Sequence, residues 1–94
     1  MNEEITAILE ACCAAFSVTI DEVRSPRKNM AMVNCRRAFV MLIKENYGIS
    51  DRAIGVFINK VSSAVLYLRM TEHHDRHYVR ALKELRTKIQ SWEP

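Results

Sequence analysis

The stretch from Ile49 to Met70, ISDRAIGVFINKVSSAVLYLRM, limits what this chain can become more than any other part of it. Ser50 is a favourable helix N-cap, because its side-chain oxygen accepts from an orphan amide of the first turn. Ala53, Ile54 and Phe57 then share one helical face. Asn59-Lys60 interrupts that pattern, and Asn is one of the few non-glycine residues that enters the left-handed region cheaply. Val61, Val65 and Leu68 resume an apolar stripe, while Ser62, Ser63, Leu66, Tyr67 and Arg69 point elsewhere. Two short helices around a tight turn, with hydroxyl and basic side chains where the second begins, predict a helix-turn-helix over about residues 50–70.

The rest of the chain reads as helices built to hold that unit. Asn2 is placed to cap a first helix, with Glu3 and Glu4 against its positive end and Ile5, Ile8, Leu9, Cys12 and Phe16 on its inner face. Thr19 caps a short turn, Ile20 to Val23. Pro26 then makes Arg24-Ser25-Pro26-Arg27-Lys28 a loop, the densest cationic cluster in the chain. From Asn29 to about Tyr47 the period is helical again, with Met32, Cys35, Phe39, Leu42 and Ile43 inward, Arg36 and Arg37 on the outer half, and Gly48 as terminator. A last helix from about Asp75 to Trp92 turns Tyr78, Val79, Leu82, Leu85 and Ile89 inward and Arg76, Arg80, Lys83, Arg86 and Lys88 outward. With only two Gly and two Pro, and few β-branched clusters, residues 1–94 read as one all-α domain. Its expected core joins Ile54, Phe57, Val61, Val65 and Leu68 to Phe39 and Leu42.

Charge is divided unevenly. Residues 1–23 carry five acids and no Lys or Arg; residues 24–94 carry all fourteen cations against six acids, for a net +8. A small helical domain with a basic face predicts double-stranded DNA as its partner. Cys12, Cys13 and Cys35 are odd in number and lack a CxxC spacing, which predicts reduced, mostly buried thiols in a cytoplasmic protein. Adjacent Cys12 and Cys13 leave a helix in different directions, with no Lys or Arg beside them in sequence. His73 and His77 are spaced to share a helix face, but two histidines do not complete a zinc site, so no metal is expected. No phosphate-binding loop, dinucleotide turn or activated nucleophile is present, which argues against an enzyme, a cofactor or a small-molecule substrate. No apolar run reaches the length of a membrane span.

The candidate DNA contacts fall in separated places. Arg27 and Lys28 lie in the loop, Arg36 on the following helix, Lys60 in the turn, and Ser62, Ser63, Tyr67 and Arg69 on the second helix of the pair. Lys60, Ser62 and Ser63 are expected at an exposed helix start, where backbone amides favour phosphate. The rival class is a protein-interaction module with Leu66 and Tyr67 as its contact surface.

Across roughly residues 14 to 90 the chain resembles the C-terminal DNA-binding domain of the bacterial replication initiator DnaA, a helix-turn-helix of the Trp-repressor kind. FSVTIDEVRSPRKN is similar to that family's leading segment and basic loop, and CRRAFVMLIKE to its Arg-led helix, with Arg36 at the Arg position. ISDRAIGVFINKVSSAVLYL resembles the family signature without a gap, from Ile54-Gly55 through Asn59-Lys60 to Val65-Leu66-Tyr67. The resemblance implies duplex DNA as ligand and a place in replication initiation or its regulation. Lys60 stands where the family has Arg, Val61 where it has Asp, Ser62 where it has His and Ala64 where it has a second Thr; Ser63 keeps a hydroxyl and Val65 matches. Those changes remove side chains that carry base recognition in the family.

Overall fold

The computed structural model describes residues 2–71 and 75–92. Among them there is no strand, and six helices follow in order: α1 (Asn2–Phe16), α2 (Ile20–Arg24), α3 (Met30–Tyr47), α4 (Asp51–Ile58), α5 (Ser62–Met70) and α6 (Arg76–Gln90).

Local chemistry sets most of the helix ends. The Thr19 hydroxyl accepts from the Glu22 amide while the Glu22 carboxylate accepts from the Thr19 amide, a reciprocal cap that starts α2. The side chains of Asn29, Ser50 and Asp75 accept from the amides of Met32, Ala53 and Tyr78 and so start α3, α4 and α6. Gly48 ends α3 and Asn59 ends α4, both in the left-handed region, at φ 61° and 56°. Asn2, expected to cap α1, is instead its first helical residue.

α3 is the axis of the molecule and packs against each of the other five helices. Its inward set of Met32, Cys35, Phe39, Leu42 and Ile43 is fully buried, and Ala38 and Val40 are buried too. Along its middle turns this helix is covered on all sides and has no outer half there. Arg36 and Arg37, expected on one, are therefore 3% and 5% exposed. They are tolerated because long side chains carry each guanidinium to main-chain carbonyls, where Arg37 Nε donates to Leu68 at 3.2 Å. α1 contributes its whole expected stripe, and Ala11 and Cys13 besides. α6 buries Tyr78, Ala81, Leu82, Leu85 and Ile89. Val79 was expected among them but is exposed, since it lies about 100° around the helix from Tyr78.

The chain turns by 100° between α4 and α5. Ile54, Ile58 and Val65 are fully buried, and with Leu68 they join Phe39 and Leu42 in one core. Phe57 is half-buried, its ring set edge-on to Phe39 with centroids 6.3 Å apart. Val61, expected to head the apolar stripe of α5, is 70% exposed. It is the N-cap, extended at φ −75° and ψ 160°, so the helical period does not reach it. Gly55 is where the turn comes closest to α4. The Lys60 amide donates to the Gly55 carbonyl at 2.9 Å, and a Cβ on Gly55 would collide with the Lys60 carbonyl oxygen.

A second device fixes the angle. The Asp51 carboxylate accepts from Arg69 Nε at 3.2 Å and Nη2 at 3.0 Å, and lies 3.3 Å from Lys44 Nζ. One carboxylate at the positive end of α4 thus holds the last turns of α3 and α5 together. No single helix among the described residues is long and apolar enough to cross a membrane.

Candidate nucleic-acid interface

The turn between α4 and α5 is anchored from below by the end of α2. Residues 22–25 present a row of carbonyl oxygens at the end of α2; that of Glu22 is met by the amide and hydroxyl of Ser25, and the later ones lie beyond the reach of a helix only five residues long. Arg36 Nε donates to Val23 at 2.8 Å, and Arg36 Nη2 to Ser25 at 2.9 Å and Glu22 at 3.2 Å. Lys60 Nζ adds a donation to Ser25 at 2.7 Å, and Asn59 Nδ2 one to Arg24 at 3.2 Å. In return Arg24 Nε donates to the Phe57 carbonyl at the end of α4, at 2.8 Å. Charged donors on carbonyls are worth about 1.5–3 kcal/mol each when shielded from water, as Arg36 is; the Arg24 and Asn59 bonds to the turn are exposed and worth less, and Lys60 lies between.

Three of the eight expected DNA contacts are consequently committed to the fold. Arg36 is buried on the α2 carbonyls, Arg69 is paired with Asp51, and Lys60 is half-buried on Ser25 rather than exposed at a helix start. The other five are on the surface. Arg27 and Lys28 are exposed in the loop before α3, and their side chains have no partner among the described residues. Ser62, Ser63 and Tyr67 are exposed on α5, with their hydroxyls also unpartnered among the described residues.

Two depressions flank α5 and share Lys60. One, of about 300 Å³, brings Lys28, Arg36 and Lys60 to Ala64 and Tyr67. The other lies between α4 and the start of α5 and is lined by Arg52, Asn59, Lys60, Val61 and Ser62. Cations therefore stand on both sides of the helix. Arg52 was not singled out from sequence; the available signal is its place on α4 away from the Ala53, Ile54 and Phe57 face. Burial holds the Lys60 ammonium pKa below its ordinary value, and the charges of Arg36 and Lys28 add to the effect. The concavity is short of counter-charge. α5 also starts without a side-chain cap, since Val61 offers no acceptor and Ser62 is already helical.

Elsewhere, His73 and His74 lie outside the described residues, and His77 is exposed, edge-on to the Phe16 ring at 5.4 Å. No group of three metal-ligating side chains occurs among the described residues. The thiols that meet are Cys13 and Cys35, 3.9 Å apart across α1 and α3, and not the sequence neighbours Cys12 and Cys13. The hydrogen bond from Cys35 lowers the Cys13 pKa, helped by the charge of Arg24, whereas burial raises that of Cys12. An arginine does stand near this pair, although the sequence places none beside it.

In comparisons with known proteins, no protein-family model matches this chain and no curated protein matches it.

Proposed function

We propose that this chain is a duplex-DNA-binding module that works as a helix-turn-helix, with α5 entering the major groove. The observation that carries the proposal is the setting of α5. It leaves the core after a 100° turn, shows Ser62, Ser63, Leu66 and Tyr67 to solvent, and has Lys28 on one flank and Arg52 on the other. A turn of that size between two short helices is the expected one for this motif. The flanking cations match the phosphate rails of a major groove. The uncapped amides of the first turn of α5 favour a phosphate as well. Arg36, Lys60 and Arg69 serve the site indirectly, by fixing the turn and the angle.

The resemblance to the initiator's DNA-binding domain extends the proposal to replication initiation or its regulation in the cytoplasm, with neither cofactor nor catalysis. The test is a binding titration of the chain on duplex DNA at several salt concentrations. Log K is expected to fall linearly with log salt, by about 0.9 for each phosphate neutralised. Arg27→Ala with Lys28→Ala should weaken binding nearly equally on all sequences and flatten that slope.

A second reading has its own observation. Val61, Leu66, Tyr67 and Met70 form an apolar outer surface on and before α5, which also suits a protein partner. Failure of the chain to bind any duplex would favour that reading.

A further inference from the structure

Helix α5 presents no uncommitted side chain of the kinds that read a base by a forked hydrogen bond. Guanine is read best by Arg or Lys, adenine by Asn or Gln, and cytosine by an acid. From Ser62 to Met70 there is no Lys, Asn, Gln, Asp or Glu. The one arginine, Arg69, has its Nε and Nη2 turned inward onto Asp51. The outward surface consists of three hydroxyls, on Ser62, Ser63 and Tyr67, together with the apolar side chains of Val61, Leu66 and Met70 and the Tyr67 ring; Val61, Leu66, Tyr67 and Met70 are 70%, 44%, 66% and 69% exposed. A hydroxyl bonds to any base edge and discriminates little. Apolar groups have one counterpart on the major-groove floor, the C5 methyl of thymine.

Resting on the DNA-binding reading, we infer that this helix selects its target by apolar contact with thymine methyl groups, so its ligand is T-rich duplex read from the major groove. The cations on both flanks favour DNA as the occupant of this apolar strip. Lys28 and Arg52 carry the charge that phosphate requires, and neither makes an ion pair among the described residues. Val61 now has a role that its burial does not explain: as an exposed N-cap it stands at the end of the helix that meets base edges in such motifs.

The experiment compares four duplexes of equal length at one salt concentration, with the whole chain and fluorescence anisotropy as readout. One is T-rich, and the second replaces every thymidine by deoxyuridine, which deletes the methyl and leaves the hydrogen-bonding edges. The third is G·C duplex, and the fourth is the same with 5-methylcytosine, which places a methyl at the equivalent groove position. Binding should weaken about fourfold for each contacted methyl lost, the usual value of a buried carbon turned into a binding ratio. The methylated G·C duplex should bind better than the plain one. Leu66→Ser and Tyr67→Ser, both at exposed positions, should shrink the thymine-to-uracil ratio. Equal binding of the T and U duplexes would overturn the inference and leave DNA binding standing. A ratio untouched by both substitutions would overturn the assignment to α5. No binding to any of the four would overturn the DNA-binding reading and this inference together.

Discussion

Lys60 Nζ donates to the Ser25 carbonyl at 2.7 Å, joining the turn before α5 to the end of α2 across 35 residues of chain. Ser25 accepts a second donation from buried Arg36, so one carbonyl oxygen is shared by two cations. Because Arg36 remains on that oxygen when Lys60 is removed, and Lys60 is only half-buried, Lys60→Ala should cost about 1 kcal/mol, less than a fully shielded bond of this type. In a domain of this size that lowers Tm by about 4–8 °C. An unchanged melting curve would show that Lys60 is not part of the fold.

Gly55→Ala tests the close approach of the turn. The added methyl meets the Lys60 carbonyl, which is backbone and cannot swing aside, with Val65 Cγ2 at 3.4 Å behind it. Overpacking of this kind costs about 1–3 kcal/mol. The gain expected of Gly→Ala inside a helix should therefore reverse in sign. A denaturant midpoint at or above the parent's would contradict the geometry.

Asp51 makes the fold sensitive to acid. Its carboxyl is held below the ordinary value of 3.8, chiefly by the hydrogen bond from Arg69, with Lys44 adding to it. A carboxyl lowered by folding stabilises fully above its unfolded value, and that contribution is lost as pH falls through the lower folded value. Asp51→Asn should therefore melt below the parent at neutral pH, with the gap closing as pH drops under 3.8. Equal melting temperatures at pH 7 would mean the clamp contributes nothing.

What could be read from the sequence was the local part. Thr19, Asn29, Ser50, Asp75, Gly48 and Asn59 act within a turn of themselves, so residue type alone announces them. Stripes on the longer helices were equally visible, because burial there follows the helical period. Arg36, Lys60 and Arg69 were misplaced for a common reason. Whether a long cation meets solvent or a carbonyl many residues away depends on how helices pack, and sequence spacing carries no trace of that. Arg36 also misled because α3 is surrounded, a property of the whole assembly and not of its own sequence. Val61 failed differently, since a periodic stripe was extended one residue past the start of a nine-residue helix. The part of the site that did stay at the surface, Arg27, Lys28, Ser62, Ser63 and Tyr67, lies in a loop or on the outer side of a helix whose inner side was legible.

The central claim is that α5 docks against DNA, and Ser63→Glu tests it most directly. Ser63 is exposed in the first turn of α5, where an acid complements the helix dipole by about 0.3–1 kcal/mol, so Tm should hold or rise. The same carboxylate would face phosphate or base edges in a docked complex. Ala14→Glu, on the exposed side of α1, changes net charge identically and serves as control. Measured by anisotropy at one salt concentration, Ser63→Glu should weaken duplex binding by about tenfold or more, and Ala14→Glu should leave it near the parent. Parental affinity in Ser63→Glu, or equal losses in both variants, would contradict docking through α5.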